Sequence, residues 1–193
     1  MRVGDIMCMK LNELAGKKPL DILKEVNVFS IPIDLDLILD KLGVIKIASS
    51  FSDLERALEK KPGSISGLVL FNEQDVGIYY KNDDDLEKKR FTIAHELGHC
   101  CLHENLLKDD YIEMLCDEEQ VINKEEKEAN DFASELLIPE EQLRIIHSRL
   151  ILPSLNKLSE VFEVPKTLMI QRLTELKMTY YDDEREKLVP PCL

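Results

Sequence analysis

Residues 90–99 read RFTIAHELGH and decide how the rest of the sequence is interpreted. His95 and His99 are four positions apart, and Glu96 directly follows the first histidine. In an α-helix this spacing places the two imidazoles about 6 Å apart along the axis and roughly 40° apart around it. Both rings can then reach one zinc ion at about 2 Å, while Glu96 can contact a water molecule bound to the same metal. The spacing predicts a catalytic zinc site with Glu96 as general base.

The residues around this motif are apolar on nearly every side of the predicted helix, as expected of a helix buried in a core. They are Phe91, Ile93, Ala94, Leu97, Cys100, Cys101 and Leu102. The alternative interpretation is that His95 and His99 are core histidines bonded to backbone carbonyls, with Glu96 paired to a nearby basic residue. Burying two imidazoles and a carboxylate together is costly without a cation, so the metal site is favoured.

Composition excludes several classes of protein. The chain has 193 residues, of which 44% are hydrophobic, which is enough for one good core. A net charge of −13 argues against a non-specific nucleic-acid binder, whose affinity comes from basic residues that neutralise phosphates. Five cysteines without a regular framework fit a reducing cytosol. No signal-peptide pattern and no stretch of about 20 apolar residues occurs, so a soluble cytoplasmic protein without a membrane partner is expected.

Hydrophobic periodicity predicts an α+β fold that is mostly helical. Three apolar runs predict a small sheet of about three strands directly before the metal-site helix, at 44–47, 68–71 and 76–80. Apolar residues at helical spacing predict further helices at 32–42, 123–137, 140–151, 154–162 and 166–177. The sheet is expected to pack against the central zinc-site helix, with a C-terminal helical bundle behind it.

The chain is expected to have four regions: an N-terminal helical segment at 1–29, a core that contains the metal-site motif at 30–138, a C-terminal helical lobe at 139–178 and a flexible tail at 179–193. The last two predicted helices of the C-terminal lobe are joined by a tight turn, as in a helix-turn-helix. Its last helix carries only Lys166 and Arg172 as cations. Packing or partner recognition is therefore favoured over direct nucleic-acid binding.

Two histidines do not complete a catalytic zinc site, which usually takes three protein ligands and a water. On an unbroken helix His103 lies about 12 Å from His95, too far to share the ion. The remaining candidates are downstream carboxylates: Asp117, Glu118, Glu119, Glu125, Glu126, Glu128 and Glu135. Glu128 is best placed, early in an amphipathic helix and beside its apolar stripe, although a surface glutamate favoured by the helix dipole is the alternative. Glu125 and Glu126 are expected to face water and the helix N-terminus, with Glu126 completing a capping box.

Two motifs together resemble the ImmA/IrrE family of zinc metallopeptidases: RFTIAHELGH followed by Leu102-His103, and EANxFAxELLxP over residues 128–139. The similarity covers roughly residues 30–176. It implies one zinc ion per chain, bound by His95, His99 and Glu128, and a thermolysin-like core in which Glu96 is the general base. Bacterial and phage members of that family act on helix-turn-helix repressors. The resemblance therefore implies a cytoplasmic peptidase that cleaves such a repressor and relieves repression.

The expected reaction is zinc-assisted hydrolysis of a peptide bond. The strand containing Ile78–Tyr80 is expected to align an extended substrate, and the developing oxyanion needs a further donor. The candidate donors or substrate contacts are His103, Tyr80, Tyr111 and His147, each of which is individually more often structural. The competing hypothesis is an antirepressor or toxin-like module that captures its partner and uses zinc only for its fold. Sequence alone does not distinguish zinc from manganese or iron.

Overall fold

The computed structural model describes residues 14–71, 75–103 and 124–191. About half of these residues are helical, and the fold is mixed α and β. Numbered in chain order, the elements are α1 (Pro19–Val26), α2 (Leu35–Leu42), β1 (Val44–Ser49), α3 (Ser52–Ala57), β2 (Gly67–Phe71), β3 (Val76–Lys81), α4 (Leu86–Leu102), α5 (Lys124–Leu137), α6 (Glu140–Arg149), α7 (Leu155–Phe162), α8 (Lys166–Glu175), β4 (Tyr180–Asp182) and β5 (Lys187–Val189). Within the described residues no helix has both the length and the apolar character needed to cross a bilayer.

The predicted three-stranded sheet is confirmed, in the order β1-β3-β2. β3 is the central strand, parallel to β1 and antiparallel to β2. Its backbone N–H and C=O groups are therefore hydrogen-bonded to the neighbouring strands on both sides. The expectation that Ile78–Tyr80 aligns an extended substrate is wrong for this reason. β2 is an edge strand of the sheet instead.

Hydrogen bonding shows which groups β2 presents at its edge. Lys81 N donates to Ser66 O at 3.0 Å, so these two opposed residues form a hydrogen-bonded pair. Pairs alternate along an antiparallel ladder. The N–H and C=O groups of Gly67 and Val69 therefore point away from β3, and the start of β2 offers backbone donors and acceptors to an added strand.

The helix α4 carries the HELGH motif and lies between the sheet and α5. It begins after Asp85, whose carboxylate accepts from Lys88 N at 2.8 Å. Gly98 allows the close approach to α5, because a Cβ at this position would lie 3.2 Å from the Cα of Ala129 and from atoms of Phe132. Ala94, Leu97 and Cys100 of α4 are fully buried.

The predicted C-terminal stretch contains three helices, α6, α7 and α8. Arg172 on α8 donates from Nε to Ile138 O at 3.2 Å, just beyond the end of α5. The main cluster of buried apolar side chains includes Leu137 of α5 together with Leu158 of α7 and Leu173 of α8. The C-terminal helices therefore share a hydrophobic core with the helix pair α4 and α5.

The tail was expected to be flexible over residues 179–193, and this is wrong for residues 180–189. β4 and β5 pair as an antiparallel ladder, and Tyr180 is buried. Asp183 follows β4 and accepts from Ser154 Oγ at 2.6 Å and from Asn156 N at 2.8 Å. The hairpin is thus tied to the N-terminus of α7 by a carboxylate that satisfies otherwise unpaired donors of that helix.

Candidate metal centre

Three side chains from two helices converge on one point. His95 and His99 of α4 face each other with their Nε2 atoms 3.0 Å apart. Glu126 of α5 reaches both rings, with Oε2 at 3.3 Å from His95 Nε2 and Oε1 at 3.2 Å from His99 Nε2. His99 is 1% exposed, whereas the Glu126 side chain is 46% exposed at the mouth of the site. One donor atom from each of these residues lies within 4.8 Å of the others, the grouping expected of a metal site.

The proton on His95 is fixed by a neighbour on α5. Nδ1 of His95 lies 2.9 Å from Oδ1 of Asn130, which can only accept a hydrogen bond. The ring therefore donates from Nδ1 and leaves the lone pair on Nε2 directed at Glu126. Asn130 is one helical turn after Glu126, so the same face of α5 supplies both a potential ligand and the group that orients the opposite imidazole.

The proton on His99 is fixed by a longer chain of hydrogen bonds. Glu128 Oε2 lies 3.1 Å from His103 Nε2, and a carboxylate can only accept, so His103 donates from Nε2. Nδ1 of His103, 3.0 Å from His99 Nδ1, is then the acceptor. His99 therefore donates from Nδ1 and, like His95, carries its lone pair on Nε2.

This arrangement fits a bound cation. The two Nε2 lone pairs and the Glu126 carboxylate are all acceptors, and bringing them together in a partly desolvated site is unfavourable without a positive charge between them. Two nitrogen ligands of a tetrahedral zinc lie roughly 3.3 Å apart when each is about 2 Å from the ion, close to the 3.0 Å between these nitrogens. Two imidazoles and a carboxylate form a typical catalytic zinc set with a fourth position left for water or substrate.

The pKa values of these groups reflect burial and mutual attraction. Burial is the largest influence on both histidines, and it lowers the pKa of His99. For His95 burial acts in the same direction, but the bond to Glu126 and the nearby Glu96 outweigh it and raise the pKa. In their protonated forms His95 and His99 can donate from Nε2 to Glu126, and these hydrogen bonds hold the pKa of Glu126 far below its ordinary value. Glu126 is therefore an anion at neutral pH, as a metal ligand must be.

Glu96 projects from α4 toward the start of β2 and is 5% exposed. A cavity of about 240 Å³ contains Glu96 and His95 together with Gly67, Thr92 and Glu126. Gly67 is required by this proximity, because a Cβ there would lie 2.4 Å from Glu96 Oε1 and 2.5 Å from Thr92 Cγ2. The carboxylate of Glu96 thus occupies space that only a glycine on β2 leaves open.

The far wall of the cavity is a loop held by a buried carboxylate. Glu55 of α3 accepts from Gly63 N at 2.9 Å and from Ile65 N at 3.0 Å. These hydrogen bonds, that from Gly63 first, lower the pKa of Glu55. Residues 64–66 line the cavity just before β2, so Glu55 fixes the position of this wall.

Other residues expected at the site lie elsewhere. Glu128 does not join His95 and His99, because its carboxylate is directed to His103. Tyr80 lines a different cavity beside Arg90, and His147 donates from Nε2 to Thr179 O at 2.6 Å. Glu135 lies 3.9 Å from Arg172. The positions Tyr111, Asp117, Glu118 and Glu119 lie outside the described residues.

Glu126 was a candidate ligand that was set aside as a capping residue, and Asn130 was missed as a site residue, although helical geometry contained the signal. With 100° per residue, Glu126 lies about 20° from Ala133 and Leu137 in projection, within the buried stripe of α5. Glu128 lies about 40° outside that stripe, beyond Phe132. A helical projection of residues 124–137 therefore favours Glu126 as the residue that faces α4.

Residues 58–174 match the family model Peptidase_M78, the IrrE N-terminal-like domain. This range contains all the residues of the candidate metal centre. No curated protein matches the chain significantly. A solved structure of a Mycobacterium tuberculosis transcriptional regulator is similar, with a TM-score of 0.52 and 14% identity. The similarity covers 94% of this chain and 48% of the regulator, so the chain spans about half of that protein. At this identity the likeness concerns the fold alone.

Proposed function

Because the chain belongs to the Peptidase_M78 family, the IrrE N-terminal-like domain, we propose that it is a zinc-dependent endopeptidase. The observation that carries the proposal is the convergence of His95, His99 and Glu126 beside the buried carboxylate of Glu96. We assign the metal-ligand roles to these two histidines and to Glu126 rather than Glu128, and the general-base role to Glu96. A thermolysin-like division of the core into a metal-binding helix pair and a sheet edge is part of the same proposal.

A bound zinc ion would supply Lewis acidity, which activates water and polarises the scissile carbonyl. Glu96 accepts a proton from the attacking water and delivers it to the leaving amine. Its position against Gly67 of β2 and Thr92 holds the carboxylate in one orientation. Asn130 keeps His95 in the tautomer that presents Nε2 to the site.

The substrate is an extended segment of a protein that adds to the edge of β2. Backbone groups of Gly67 and Val69 are directed to that edge, and Gly67 adjoins the general base. An added strand would therefore pass beside Glu96, with its own backbone satisfied by β2. None of the described residues His103, Tyr80 and His147 lines this cavity, so the earlier candidates for an oxyanion donor have no support from their positions.

The protein substrate we propose is a helix-turn-helix transcriptional repressor, whose cleavage relieves repression in the cytoplasm. The resemblance to ImmA/IrrE peptidases supports this choice. We further propose that residues 139–178 form the lobe that contacts this partner, because their few cations suit protein recognition better than nucleic acid.

The competing function is capture of the repressor without cleavage, with zinc in a structural role. Structural zinc sites usually have four protein ligands, whereas the described residues supply three. A buried glutamate beside the ion also has no use in such a site. Both features favour the peptidase.

The test is incubation of the zinc-loaded protein with the helix-turn-helix protein encoded next to its gene. The wild type is compared with Glu96→Gln, a nearly isosteric change that keeps all three proposed ligands. Cleavage by the wild type and none by the variant, at equal zinc content, is the expected result. Equal loss of repressor–DNA binding with both proteins and no fragments would establish capture instead.

A further inference from the structure

Beyond the three proposed ligands, a chain of hydrogen bonds leads from His99 to the other side of α5. It runs from His99 Nδ1 to His103 Nδ1 and from His103 Nε2 to Glu128 Oε2, at 3.0 and 3.1 Å. His103 ends α4 one turn after His99 and is only 7% exposed. We propose that His103 and Glu128 are positioning residues that act through His99 and set its affinity for the metal. The proposal rests on the metal site proposed above.

Each atom in this chain of hydrogen bonds has one role, either donor or acceptor. The carboxylate of Glu128 accepts, the imidazole of His103 donates on one side and accepts on the other, and His99 donates. Reversing the tautomer of His99 would place the lone pairs of the two Nδ1 atoms against each other. The chain therefore holds the lone pair of His99 on Nε2, the atom that faces His95 and Glu126.

The chain also increases the electron density available at His99. A metal-bound histidine that donates its second N–H to an acceptor is a better ligand, and loss of such a partner typically lowers metal affinity by about 10–100-fold. Here the negative charge of Glu128 is transmitted through His103 rather than applied directly. Among the described residues, Nδ1 of His95 is bonded to the neutral amide of Asn130, so the two proposed histidine ligands differ in the group that supports their Nδ1 atoms.

A purely structural role would be to attach the end of α4 to α5. Other contacts also hold the end of α4 in place. Gly16 N donates to Cys101 O at 2.6 Å, and His103 N donates to His99 O at 2.9 Å. Gly98 packs directly on Ala129 and Phe132 in the same helix pair. The fold at the end of α4 therefore has support that is independent of the side chains of His103 and Glu128.

The experiment measures zinc affinity by competition with a chelator of known affinity, together with the melting temperature of the metal-free protein. The variants are His103→Phe, which keeps the ring volume without hydrogen bonds, and Glu128→Ala, which truncates a side chain that is 41% exposed. The control is Lys124→Ala, because Lys124 pairs with the other oxygen of Glu128 at 3.4 Å and does not contact His103.

We expect each of the two variants to lose zinc affinity about 10–100-fold, with the control within about twofold of wild type. The double variant should bind zinc no more weakly than His103→Phe alone, because Glu128 acts on His99 through His103. NMR of histidine ring nitrogens in metal-free Glu128→Ala should show His103 as a mixture of tautomers. Melting temperatures that fall while zinc affinity stays within about threefold of wild type would reduce the chain to a structural contact and overturn the proposal. Glu128→Ala, at a half-exposed position, keeps the test valid should His103→Phe not fold.

Glu126→Gln separates this proposal from the one on which it rests. If Glu126→Gln binds zinc as tightly as wild type, the metal site itself is wrongly assigned. If it loses zinc while His103→Phe and Glu128→Ala keep wild-type affinity, the metal site stands and only the positioning role fails.

Discussion

Gly67→Ala is expected to abolish most of the turnover without removing the metal. The new Cβ would lie 2.4 Å from Glu96 Oε1 and 2.5 Å from Thr92 Cγ2. Ordinary contacts begin near 3.4 Å, so the carboxylate of Glu96 or the start of β2 must move by about 1 Å. Displacing a catalytic group by this distance costs on the order of 100-fold in rate. Because Glu96 is not a ligand in our assignment, zinc affinity should stay at the wild-type value.

The assay is the initial rate of repressor cleavage at saturating substrate, with zinc content and unfolding free energy measured on the same preparations. Overpacking of this kind costs about 1–3 kcal/mol of stability, so activity is measured well below the melting temperature. Gly77→Ala is the matched control, since the same substitution on β3 meets only Tyr79, Ile47 and the backbone of Leu70. A Gly67→Ala variant with wild-type kcat would refute the assignment of Glu96 as a group held against β2.

Four further outcomes are expected. His95→Ala should lose bound zinc, and its melting temperature should no longer rise when zinc is added. Glu126→Gln should lower zinc affinity more than Glu128→Gln in the same chelator competition, because only Glu126 contacts both proposed ligand rings. Because folding lowers the pKa of Glu55, its carboxylate stabilises the folded protein above pH 4.5, the ordinary pKa, and this stabilisation is lost as pH falls through the pKa of the folded state. In urea unfolding, Glu55→Gln should therefore be less stable than wild type at pH 7 and should lose less stability than wild type on acidification. Asp183→Ala should cost about 1 kcal/mol in urea unfolding, because it removes hydrogen bonds to the start of α7.

The sequence predicts the parts of this fold that depend on local periodicity. The three strands and the family follow from patterns contained within short windows. The order of the strands does not, because the parallel pairing of β1 with β3 joins residues about 30 positions apart. That pairing makes β3 central and transfers the proposed substrate edge to β2.

The proposed third ligand shows a different limit on local reasoning. The sequence placed it on α5, but the choice among the carboxylates of α5 depended on how that helix is rotated about its axis. Glu126 and Glu128 are two residues apart and point about 160° away from each other. The rotation is fixed by tertiary contacts, above all Ala129 and Phe132 against Gly98. These contacts place Glu126 on the metal side and leave Glu128 to His103.

The C-terminal hairpin was missed because its strands are only three residues long. Such strands have no periodicity to detect, and the charged residues around them suggested a solvent-exposed tail. Tyr180 is buried and Asp183 binds the start of α7, so the hairpin depends on contacts across about 30 residues of sequence. The proposed division into domains remains a prediction.

The arrangement separates metal binding from catalysis in a way that variants can resolve. Three histidines, one turn apart along α4 and its C-cap, contact α5: His95 faces Asn130 and Glu126, His99 faces Glu126, and His103 faces Glu128. The helix pair alone therefore contains the proposed ligands and the groups that orient them. Glu96 depends instead on the sheet, through Gly67 and the loop fixed by Glu55. Substitutions of the site residues of α5 should thus remove zinc and activity together, whereas substitutions in β2 beside Glu96 should remove activity from a protein that still binds its metal.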